Sequence, residues 1–69
     1  MKRQPVSSSN ILSVGYDPET KILEVEFRGG AVWQYSDVEE NVYEEFISSS
    51  SVGKYFSANI RGSYSEQKL

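Results

Sequence analysis

An α+β architecture, a three-stranded antiparallel meander followed by two C-terminal helices on one face of it, follows from three features of this chain. Two stretches alternate apolar and polar residues with a strand's period of two, and a third such stretch carries Trp33 and Tyr35. Directly after Tyr35 the apolar spacing changes to that of a helix. The change falls inside Gly30 to Ile47 with almost no linker, so the third strand and the first helix share a core. A chain of 69 residues allows one small domain, because surface grows relative to volume as chains shorten.

The elements follow in order. Met1 to Ser9 is polar, holds Pro5 and a run of three serines, and is expected to be loosely ordered. In Ile11 to Asp17, alternation puts Leu12, Val14 and Tyr16 on one face and Ile11, Ser13 and Gly15 on the other. Gly15 leaves bare backbone that a neighbouring element can approach closely, or marks a bulge. Asp17-Pro18-Glu19-Thr20 is a turn, since proline presets φ and the Asp side chain can accept from the amides that follow. The second strand, Lys21 to Arg28, turns Leu23, Val25 and Phe27 inward and Glu24 and Glu26 toward water. Gly29-Gly30 suits a two-residue primed hairpin turn, and Ala31 to Tyr35 completes the meander.

Ser36 or Asp37 can cap the first helix, with Glu39 or Glu40 three residues on as the capping-box partner. Acids there also suit the helix dipole. Val38, Val42, Tyr43, Phe46 and Ile47 fall on one helical stripe. The serines from Ser48 to Ser51 end this helix and cap another, in which Val52, Tyr55, Phe56, Asn59 and Ile60 form a second stripe closing near Gly62. Ser63 to Leu69 is expected to be a loose tail. Such a sheet has two open edges and an open face, which makes a homodimer one expected arrangement.

The chain contains neither His nor Cys. Imidazole or thiolate metal sites, disulfides and His-assisted nucleophilic catalysis are therefore excluded, and the expectation is a non-catalytic binding module without metal or cofactor. No apolar run approaches the roughly 18 residues that span a bilayer, and the first ten residues lack the apolar core of a signal peptide, so a cytoplasmic protein without a membrane partner is expected. A net charge of −3 does not suit a general nucleic-acid coat. The charges are unevenly placed, however. Lys2, Arg3, Lys54, Arg61 and Lys68 lie toward the ends, and Asp37, Glu39, Glu40, Glu44 and Glu45 crowd the middle, so a modest basic face can form if the ends fold together.

Several pieces match a known pattern. These are Val6-Ser7-Ser8 then Ile11, Val14-Gly15-Tyr16-Asp17, the Leu23, Val25, Phe27 strand, Gly30, the aromatic pair at 33 and 35, Val42-Tyr43, and Gly53-Lys54-Tyr55-Phe56 followed by Ile60-Arg61. From Val6 to Tyr64 the chain resembles the KTSC domain, a module found at the carboxyl terminus of some lysyl-tRNA synthetases and as a stand-alone bacterial protein. The family's Tyr-x-Tyr stands here as Trp33-Gln34-Tyr35, its Val-Pro before the helix as Val38-Glu39, and its Asn after Tyr-Phe as Ser57. The resemblance implies a compact domain suggested to bind RNA. It does not imply synthetase catalysis, because the catalytic domain is absent.

Lys54, Tyr55, Arg61, Tyr64 and Arg28 are the expected nucleic-acid contacts, because cation and ring alternate on a short element and pair charge with stacking. Arg61 also has a structural reading, bonded to helix-end carbonyls or to an acid. Trp33 and Tyr35 fit either a stacking platform or the core beneath the helices. The acidic helix and the Glu24, Glu26 pair read as solvated faces. The alternative function is a protein interaction or assembly domain using the open sheet face and the acidic helix.

Overall fold

The computed structural model describes residues 1–69. Five strands, β1 (Arg3–Pro5), β2 (Ile11–Asp17), β3 (Ile22–Phe27), β4 (Val32–Tyr35) and β5 (Glu66–Lys68), form one antiparallel sheet in the order β1-β2-β3-β4-β5. Helix α1 (Glu40–Ser48), the short α2 (Val52–Tyr55) and a π turn (Phe56–Ile60) cover one face of it. The α+β architecture with two helices stands, but the sheet has five strands rather than three. The stretches expected to be loose supply the other two, because the backbone groups along the free edges of β2 and β4 are better satisfied by pairing with them.

The core is Ile11, Val14, Leu23, Val25, Tyr35, Val38, Phe46, Val52, Phe56 and Ile60. Simple alternation misplaces its first member. The register slips between Ile11 and Ser13, so Ile11 pairs with Phe27 while Ser13 pairs with Glu26. This bulge at Leu12 carries Ile11 onto the helix side, where it is buried. The turn after β3 is also longer than the expected two residues. Phe27 N donates to Ala31 O at 2.8 Å, leaving Arg28, Gly29 and Gly30 as the loop, with both glycines at φ near 100°.

The cap expected for α1 is not made, for a tertiary reason. Val38 is fully buried; its N–H donates to Lys21 O at 3.0 Å and its carbonyl accepts from the Tyr16 hydroxyl. Those bonds fix the crossing from sheet to helix at Val38. The helix therefore starts after Glu39, whose carboxylate pairs with Lys21 Nζ at 2.9 Å instead of capping. The second helical segment winds more widely than expected. Arg61 N donates to Phe56 O at 2.9 Å, a five-residue step that lets Val52, Phe56 and Ile60, each four apart, all face the core. Asn59, expected on that stripe, is exposed and donates from its amide to Tyr55 O.

The other sheet face is a polar ladder. Arg3 Nη1 lies 3.1 Å from Glu24 Oε1, Gln34 Nε2 donates to Glu24 Oε2 at 3.2 Å, and Ser13 Oγ donates to Glu26 Oε1 at 2.8 Å.

Candidate nucleic-acid interface

A groove runs where the loop before β2 meets the second helical segment. Its first wall is built by serines and an arginine. Ser8 Oγ accepts from the N–H groups of Asn10 and Ile11, while Arg28 Nε and Nη2 donate to the carbonyls of Ser9 and Ser8 at 2.8 and 3.1 Å. Arg28 N donates to Asn10 O at 2.8 Å, so the loop is fastened to the β3–β4 turn. The second wall begins at Ser51, whose Oγ accepts from Lys54 N and caps α2. The walls approach at Gly53, where a Cβ would stand 3.3 Å from Ser8 Oγ. A glycine costs the helix propensity but permits this approach.

Three clefts make up the groove. The first, about 450 Å³, is lined by serines from both walls with Lys54 and has one apolar residue, Val52. The second, about 310 Å³, shares Asn10, Gly53 and Ser57 with it and adds Arg28, Arg61 and the rings of Phe27 and Phe56. The third, about 320 Å³, continues past Arg61 to Trp33, Tyr35 and Glu66. Polar hydroxyls thus give way to aromatic surface along one path. No acid of α1 lines it; Glu66 is its only carboxylate.

Of the five residues singled out from sequence, Lys54, Arg28 and Arg61 line this groove. Lys54 and Arg61 are exposed, and neither side chain makes an ion pair with the protein's own acids. Arg28 commits part of its fork to the serine carbonyls. The two tyrosines lie elsewhere. Tyr55 packs on Phe46 with ring centroids 5.8 Å apart, and its hydroxyl donates to Glu45 Oε1 at 3.0 Å; burial and that carboxylate raise its pKa. Tyr64 packs against the core and lines none of the three clefts.

The aromatic pair divides between the two readings given to it. Tyr35 is only 3% exposed, edge-on to Phe56 at 5.5 Å, whereas Trp33 is half-buried in the wall of the third cleft. Burial pushes the Tyr35 phenol up to about 12, with Glu66 adding to the shift and Arg61 opposing it. Sequence reasoning missed Glu66 and Lys68 at this end. Lys68 is the cross-strand partner of Trp33 and shares its face. The one signal for them was that β4 needed a partner on its outer edge.

A family model described as the KTSC domain matches residues 7–64. The chain belongs to that family. A KTSC domain protein from Yersinia pestis, known from a crystal structure, superposes with a TM-score of 0.94 at 45% identity, covering 99% of this chain and 96% of that one. An uncharacterised protein of Stutzerimonas stutzeri is 45% identical over 56 residues, which is 81% of this chain and 79% of its own. A lysine–tRNA ligase of Nostoc sp. is 34% identical over 61 residues, 88% of this chain but 11% of the ligase.

Proposed function

We propose that this protein is a non-catalytic, cytoplasmic binding module for single-stranded RNA, and that the strand lies in the groove between the β2 loop and the second helical segment. The carrying observation is that Lys54, Arg28 and Arg61 converge on one path lined by hydroxyls at one end and aromatic rings at the other. Phosphates suit the cationic and hydroxylic part, and unstacked bases suit the aromatic part. A duplex would not reach the rings, because its bases are stacked within the helix. Similarity to a short part of a tRNA ligase supports the same reading, since that enzyme acts on RNA.

The protein interaction reading has less to stand on. On the open sheet face Glu24 and Glu26 are already bonded to Arg3, Gln34 and Ser13.

Replacing Lys54 and Arg61 together by Ala tests the reading. Binding of a short unstructured oligoribonucleotide, titrated across salt, should weaken, and the slope of log K against log[salt] should flatten by about 0.7 for each phosphate that is no longer neutralised. An unaltered slope in the double variant would show that these side chains do not meet phosphates.

A further inference from the structure

The hydroxyls of Tyr16, Tyr43 and Tyr55 are each hydrogen-bonded within the protein, whereas those of Tyr35 and Tyr64 are not; the ring of Tyr35 is buried. No unpaired side-chain polar atom is fully sealed from solvent, so the Tyr35 hydroxyl opens into the recess that Tyr35 lines. Around it stand Trp33, Arg61 and Glu66 over a floor of Phe27 and Phe56, and Lys68 lies beside Trp33. At about 320 Å³ the recess is at the small end of ligand clefts, the size for a single flat ring system rather than a helix of nucleic acid.

Resting on the RNA reading, we infer that this recess is a nucleobase pocket selective for unpaired guanine. The chemistry of the carboxylate decides which base. Guanine alone presents two adjacent donors, N1–H and the exocyclic N2 amine, on its Watson–Crick edge, and a carboxylate accepts both at once. Adenine and cytosine put an acceptor beside their amine, which would face Glu66 with like charge. Uracil offers one N–H flanked by two carbonyls. On the remaining edge, guanine O6 and N7 are both acceptors, matched by the donors of Arg61 and the Tyr35 hydroxyl. Trp33 supplies the stacking face and Lys68 a cation near it.

Trp33 is the only tryptophan, so its fluorescence reports binding directly. The pentamers UUGUU, UUAUU, UUCUU, UUUUU and the inosine form UUIUU serve as probes. UUGUU should bind about tenfold tighter than UUAUU or more, with UUIUU between them because it keeps N1–H and lacks the amine. Glu66→Gln, at an exposed edge position, should lose most of the preference of UUGUU over UUAUU and UUUUU. Tyr35→Phe, which removes only the hydroxyl, should reduce that preference a few-fold. Equal affinity for all five pentamers would overturn the guanine pocket and leave the RNA reading standing. Binding of none of them at low salt would overturn both.

Discussion

Tyr35 holds two roles at one position: its ring closes the core against Phe56, and its hydroxyl faces a surface recess between Glu66 and Arg61. The cost of that arrangement is visible in the acidity of the phenol, which burial drives up to about 12. Tyr16, Tyr43 and Tyr55 are raised too, each first by burial. The sign of the consequence is fixed. A group whose pKa is higher folded than unfolded holds its proton better in the folded state, so its contribution is complete below about pH 10 and disappears as pH climbs through the folded value. Thermal unfolding followed from pH 9 to pH 12 should show a steady loss of stability above pH 10, to which Tyr35 contributes. Tyr35→Phe should blunt that loss. A melting temperature unaffected across this window would mean that the phenol is not held as described. At this scale the sequence was half legible. The 33 and 35 pair was visible as aromatic mass on one strand face, but only the packing of Phe56 separates the core ring from the ring at the cleft wall.

Among the elements, β1 depends on a single residue of its neighbour. Arg3 pairs with Gly15, and a Cβ on Gly15 would stand 2.9 Å from Arg3 Cγ and 3.0 Å from the Lys2 carbonyl oxygen. A backbone oxygen cannot swing aside as a side-chain tip can. Gly15→Ala should therefore detach β1 while the core persists: amide exchange should accelerate on β1 and on the β2 groups that face it, with Val25 and Phe46 still protected. Unchanged protection along β1 would contradict this close approach. The sequence marked Gly15 as a point of approach without showing what approached. The reason is that β1 and β5 consist of exposed residues throughout, so no apolar alternation announces them, and only backbone pairing places them. The bulge at Leu12 was hidden similarly, since Ile11 and Leu12 are interchangeable to a hydrophobicity pattern. The π turn was signalled weakly by the four-residue spacing of Val52, Phe56 and Ile60.

Taken as a molecule, the protein has two unlike sides. One side of the sheet is a set of mutually satisfied polar pairs; the other is a core whose margin, between the β2 loop and the π turn, is a groove lined by three cations and a tryptophan. The basic face expected where the two ends fold together does not form, because β1 and β5 occupy opposite edges of the sheet and Arg3 is paired with Glu24 on the polar face. The sequence reading groups Arg28 with Lys54 and Arg61, but what brings it beside them, the serine loop tied across the β3–β4 turn, is not legible there. The grouping of Tyr55 and Tyr64 with the cations was suggested by closeness in sequence, and the winding of α2 turns Tyr55 toward α1 instead.

The most direct test of the groove as the RNA-binding surface is a map of backbone amide chemical shifts as a single-stranded RNA containing one guanine is titrated into the protein. The account predicts that the largest changes trace Asn10, Arg28, Gly53, Ser57, Arg61 and the Trp33 indole, with Ser13, Glu24 and Gln34 on the opposite sheet face unmoved. Changes concentrated on that opposite face, or along the outer side of α1, would contradict it.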